Sequence, residues 1–262
     1  RRTGEGVQGS QHPRRIAKIP WPSAVSVLAL ALVVLAGHTQ TAFITVIGLL
    51  IWRGGAFFIV RWRYRERGLH LSLSKIAVNV WHFGRSLLPF GIAGLIAAVQ
   101  LLPTFELSRF SVRAEGLPWR EAVSFSISPW DLPWALLPPY LHPPRLPEGV
   151  AYLGTVALGL VGGGVIWAWR TRETKALTLV VLGVSGIFLS LGGYNPLYLA
   201  AVRLGVPGLV HFRAPARFMA LFVLSASLLA GLAFNRVCGI MCGRLGQGGG
   251  TFLAGGLSLL IV

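Results

Sequence analysis

Residues 21–37, 41–60, 83–102, 150–169, 176–191 and 216–237 are near-continuous apolar runs, and a further one opens at Thr251. Runs of this kind decide the fold class, because about 20 apolar residues carry an α-helix across the roughly 30 Å hydrocarbon layer of a membrane. No water reaches the backbone inside that layer, so each run must close its own hydrogen bonds as a helix. The chain is therefore expected to be all-α, a polytopic transmembrane helical bundle of about six to seven spans, with a long outer loop carrying short interfacial helices. A hydrophobic content of 54% against 12% charged residues and a mean hydropathy of +0.66 lie outside the range of soluble domains. Residues 1–262 are expected to form a single membrane domain. The chain opens on Arg1 and closes within the apolar run from Thr251, so it reads as a piece of a longer protein.

A formal charge of +16 in a soluble protein points to nucleic acid. Here the cations sit in short connections between apolar runs, the pattern of the positive-inside rule, and no nucleic-acid partner is expected. Residues 1–20 form a basic tail with Arg14, Arg15 and Lys18; Arg61, Arg63, Arg65, Arg67 and Lys75 follow the second run; Arg170, Arg172 and Lys175 lie in a later turn; Arg236 and Arg244 agree. All are assigned to the cytoplasmic side. The opposite side receives the 37–41 turn, the long segment 104–149 and the segment 192–213. Glu106, Glu115, Glu121, Asp131 and Glu148 all fall in 104–149, which is too long to be a mere connector.

That long segment is where chemistry is expected. If 104–114 is helical, Glu106, Arg109 and Arg113 share a face, as an ion-pair ladder or as a carboxylate beside a guanidinium pair that deprotonates a hydroxyl while holding a phosphate. In SISPWDLPW, Ser128 with Pro129 next reads as a helix start; alternatively Asp131 is the cap with Pro133 behind it, or a catalytic base. Trp130, with Trp119 and Trp134, either stacks on sugar or belongs to the interfacial belt. His38 and Gln40 in the 37–41 turn are solvated turn residues or substrate contacts. In GGYNP, Asn195 has the residue type of a turn and is a further binding candidate. Arg213 and Arg217, four apart on the side where cations are disfavoured, call for an anionic partner: a loop carboxylate, a lipid head group or a substrate phosphate. Cys238 and Cys242 are four apart in a short polar connection and lack the partners for a zinc site. No cofactor is identified, and nothing specifies a divalent metal. The apolar runs carry almost no ionisable residue at mid-depth, which argues against a proton pump in this segment.

The ordered series GHTQTAF, QLLPTFELSRFSVR, FSISPW, Tyr152-Leu153-Gly154, GGYNP and FRAPARF resembles the bacterial YfhO-type membrane proteins, themselves similar to the GT-C superfamily of polytopic glycosyltransferases. The resemblance runs from Gly37 to about Gly231; Thr39 departs from it, since the pattern has Pro there. It implies an enzyme of the bacterial cytoplasmic membrane that moves a sugar from a polyprenyl-phosphate donor to a cell-envelope acceptor on the extracytoplasmic face. It also implies a catalytic acid in a first outer loop that would precede Arg1, with Glu106 and Asp131 as the candidates present here. Arg113, Arg213 and Arg217 are then expected to stabilise the departing phosphate. The rival readings are a lipid-linked-sugar flippase or transporter and a non-catalytic partner in envelope assembly.

Overall fold

A computed structural model describes residues 21–66, 68, 73–111, 114, 116–141 and 146–259. The basic tail 1–20, Arg67, Arg113 and Glu115 lie outside the described residues. Ten α-helices follow in order among the described residues: α1 (Trp21–Leu35), α2 (Thr39–Glu66), α3 (Leu73–Ile96), α4 (Ala98–Ser108), α5 (Trp119–Ala122), α6 (Leu132–Leu136), α7 (Thr155–Thr171), α8 (Thr174–Ser190), α9 (Pro196–Arg203) and α10 (Met219–Leu259). Three 3₁₀ turns, Pro147–Gly149, Gly192–Tyr194 and Pro215–Phe218, complete the set, and no strand occurs among the described residues.

Among the described residues two helices are long and apolar enough to cross a membrane, Thr39–Glu66 and Pro215–Met241. A third crossing is available if Leu87–Ile96 and Ala98–Ser108, bent by 79°, count as one broken span. That is fewer than the about six to seven expected from apolar runs of near-spanning length. Helix 1 stops at Leu35 in front of Gly37, which has φ +75°. The 150–169 run begins as an extended segment through Gly154 at φ +94°, which delays α7 to Thr155. Helix 8 has 17 residues, about 25 Å at 1.5 Å each. At the other end of the chain, the expected connection around Cys238 and the run from Thr251 are both parts of one continuous α10.

The arginines after the second run also change place. Arg61, Arg63 and Arg65 belong to the last turns of α2 instead of a loop, since arginine is a good helix former and its charge suits a helix C-terminus. Between α3 and α4 the chain bends at Ala97. Pro103 lies in the turns that follow and cannot donate to the Val99 carbonyl.

Helix 8 is the packing centre. It lies against α10 and α2, with α7 on α10, while α1 pairs with α3. Small residues make this closeness possible, as in membrane helix pairs. A Cβ built at Gly186 stands 2.8 Å from the Phe222 amide nitrogen, and one at Gly164 stands 2.9 Å from Leu229 Cγ. One core cluster joins Ile44, Leu182, Tyr198, Phe218 and Leu221; a second joins Ile59, Ala168, Leu177 and Leu229 further along α2, α8 and α10.

The bundle consequently has two distinct ends. The start of α2, the end of α8 and the start of α10 share one, and the segments 116–141 and 192–218 are sewn together there. Leu117 N donates to Val210 O at 2.8 Å, Ile127 N to Ser190 O at 3.0 Å, and Gly193 N to Ser126 Oγ at 2.9 Å. At the opposite end the Arg63 Nη1 donates to Thr174 Oγ1 at 3.0 Å, tying the end of α2 to the start of α8. Gly192, at φ +46°, would bring a Cβ within 2.7 Å of Pro215, so the turn after α8 tolerates no side chain where it passes beneath the 213–218 segment.

Candidate functional site

The site grows out of the chain reversal that precedes α10. Ala214 holds a left-handed backbone, φ +68°, and so does Phe125, φ +58°. Non-glycine residues pay for that conformation and keep it only where neighbours over-determine it. Here they support each other's segments: Ala214 N donates to Ser124 O at 3.1 Å and Ala216 N to Phe125 O at 3.2 Å. Gln40, in the first turn of α2, adds a third tie, with Nε2 donating to Arg213 O at 2.8 Å. The result is a fixed platform for Arg217 in the 3₁₀ turn that leads into α10.

Arg217 Nη1 donates to Gln40 Oε1 at 2.7 Å, and Nη2 lies 3.5 Å from Glu148 Oε1. Both charged side chains keep about a third of their surface open, so this pair meets solvent and adds little to stability by itself. Its placement matters more. Arg217, Glu148 and His38 stand at one end of a cleft of about 1160 Å³ between α2 and α10, whose remaining wall is mostly apolar and includes Trp52, Met219 and Leu228. From Gln40 to Trp52 along α2 is about 18 Å. A charged mouth on a long apolar trough has the chemistry to hold an anionic head with a hydrocarbon tail.

Comparison of the chain with protein families, curated proteins and solved structures finds no match. The roles of the residues therefore rest on their own geometry.

Of the residues expected to bind, the structure brings His38, Gln40 and Arg217 together, with Arg213 contributing its carbonyl and leaving its side chain exposed. It does not bring in the other candidates among the described residues. Glu106 and Arg109 are exposed and do not line the cleft, and Arg109 lies over the Phe105 ring at 4.8 Å. Helix 4 ends at Ser108, short of the expected Ala114. The Ser108 and Ser111 hydroxyls donate to the carbonyls of Phe105 and Ser108, at 2.7 and 2.8 Å, the local bonding by which serine competes with helix.

Of the two readings of SISPWDLPW, Asp131 takes the N-cap position of α6 with Pro133 just inside the helix, although its side chain makes no cap bond. Ser128 closes the turn in front of it, its Oγ accepting from Trp130 N at 3.3 Å and its carbonyl from Leu132 N at 3.1 Å. Trp130 is 85% exposed. Trp119 carries the guanidinium of Arg203 at 4.7 Å and that of Arg120 at 5.3 Å, a cation–π stack joining α5 to α9. Asn195 is buried: Oδ1 accepts from Leu197 N at 3.0 Å and Tyr198 N at 3.3 Å, and Nδ2 donates to Phe188 O at 2.8 Å. It caps α9 and is turned into the protein, away from the cleft lining. Just behind it, burial pushes the Tyr198 phenol up to about 12.

Glu148 was not among the expected binding residues. Its signal was its position as the last acid before the apolar run that begins at Val150. Among the described residues no group of three His, Cys, Asp or Glu side chains could hold a metal ion.

Proposed function

We propose that the chain is part of a GT-C-like membrane glycosyltransferase of the YfhO type, moving a sugar from a polyprenyl-phosphate donor to a cell-envelope acceptor on the extracytoplasmic face of a bacterial cytoplasmic membrane. One observation carries the reading: Arg217, braced by Gln40 and Glu148, stands at the charged mouth of an apolar cleft of about 1160 Å³. In this reading the guanidinium receives the donor phosphate through charge-assisted hydrogen bonds, and the prenyl chain lies along α2 and α10. Glu148 is the carboxylate beside it and takes the acceptor hydroxyl's proton in an inverting transfer. Glu106 and Asp131 are then structural. Helices 1, 7 and 8 act as crossings beside α2, the bent α3–α4 pair and α10, about six in all, thinning the bilayer or tilting to match it. The Arg63 end faces the cytoplasm.

The test is transfer from radiolabelled polyprenyl-phosphate sugar by the protein in liposomes. Arg217→Ala and Glu148→Gln are expected to abolish transfer while membrane insertion is retained. Full transfer by both variants removes the assignment. Since Arg217 already has two protein partners, the rival in which the arginine only receives the phosphate, as in a flippase, keeps a claim. It predicts label that crosses the bilayer without reaching acceptor.

A further inference from the structure

A second cleft, of about 500 Å³, opens at the other end of the bundle and plays no part in the reading above. Arg63, Arg172, Lys175 and Arg236 line it, with Glu173 as the single acid among its described lining residues. The cations come from four places: Arg63 from the last turns of α2, Arg172 from the turn between α7 and α8, Lys175 from the first turn of α8, and Arg236 from α10. Like charges gathered this closely repel unless an anion sits among them.

Three features point to what that anion is. Helix 8 begins in this cleft at Thr174 with no side-chain cap on its first amides, and a helix N-terminus favours oxyanions through its free N–H groups and dipole. Arg172 is held with unusual care. Its backbone is left-handed, φ +55°, and its Cζ lies 4.5 Å from the Trp62 ring centre and 5.0 Å from that of Trp169. Within this aromatic clamp its Nη1 is buried with no hydrogen-bond partner, an arrangement that costs free energy until an acceptor arrives. Arg63 is positioned by its bond to Thr174 Oγ1, and Arg236 by Trp167, 4.9 Å from its Cζ, and by Glu173 at 4.0 Å. A planar fork set in advance is the usual device for phosphate.

We infer that this cleft is a phosphate-binding site, formed by Arg63, Arg172, Lys175, Arg236 and the first turn of α8. The cleft lies where the candidate spans Thr39–Glu66 and Pro215–Met241 end, and the exposed rings of Trp62 and Trp169 mark the depth where tryptophan and lipid head groups meet. The phosphodiester of an anionic phospholipid is the ligand that this level supplies, and a free phosphate from solution carries the same chemistry.

The experiment is native mass spectrometry of the 262-residue chain in detergent with phosphatidylglycerol, then phosphatidylcholine, each with and without millimolar inorganic phosphate. Thermal unfolding is followed alongside. Phosphatidylglycerol is expected to bind at least tenfold more tightly than phosphatidylcholine. The pair R63Q/R236Q is expected to lose that preference. Lys175→Gln, at an exposed residue whose loss leaves the packing intact, is expected to weaken binding severalfold, and Arg203→Gln at the opposite end to leave it unchanged. Competition by inorganic phosphate, with a raised unfolding temperature, assigns the site to free phosphate; phosphatidylglycerol binding that phosphate does not displace assigns it to lipid. Equal binding of the two lipids with no effect of phosphate overturns the inference, and so does an equal loss in Arg203→Gln and Lys175→Gln.

Discussion

Arg217 and Gln40 are 177 residues apart in the chain, yet Nη1 of the first donates to Oε1 of the second at 2.7 Å. Gln40 also donates through Nε2 to Arg213 O. One amide thus positions the arginine and pins the turn that presents it, tying the start of α2 to the turn that leads into α10.

Replacing Gln40 by Leu removes both bonds and leaves the Arg213 carbonyl without this donor. The bond to the Arg213 carbonyl is exposed and the one to Arg217 half-buried, so a loss of about 1–2 kcal/mol is expected for the two together. Thermal unfolding in detergent measures it. Gln40→Glu restores an acceptor for Arg217 but no donor for the carbonyl, and is expected to fall between the wild type and Gln40→Leu.

Asn195→Ala is expected to cost more than its small volume change suggests. It deletes the cap of α9 and the donor to Phe188 O, and cap loss alone is worth about 1 kcal/mol. Asn195→Asp, which keeps the acceptor and loses the donor, separates the two contributions in the same unfolding measurement.

The closeness of α8 and α10 predicts a contrast between glycines. At Gly186 an added Cβ meets the Phe222 backbone at 2.8 Å, whereas at Gly159 nothing lies within 4 Å. Gly186→Ala is expected to destabilise by about 1–3 kcal/mol through forced separation of the helices. Gly159→Ala is expected to be neutral or to stabilise by up to about 1 kcal/mol through helix propensity.

Tyr198 predicts a pH dependence. Burial raises its phenol from 10.0 to about 12, so the folded state holds this proton more tightly than the unfolded chain. The contribution is complete below pH 10 and disappears as pH rises through about 12. Two pH units correspond to roughly 2–3 kcal/mol. Unfolding of the wild type between pH 9 and 12 is expected to lose about that much more stability than Tyr198→Phe, which has no proton to release.

The helical class was legible in the chain because apolar length leaves the backbone no other way to satisfy itself. The count of long apolar helices was not. Hydropathy adds up side chains, while Gly37, Gly154 and the serines after Phe105 set where helices start and stop through backbone geometry and local hydrogen bonds. Nor could the series of candidates say which would converge. Asn195 and Arg217 looked alike as polar residues at turns, and only the packing of α8 beneath the 213–218 segment buries one as a cap and leaves the other facing the cleft. Local pattern decides what each segment becomes. Which side chains meet depends on contacts between residues far apart in sequence, and no property of either residue alone encodes them.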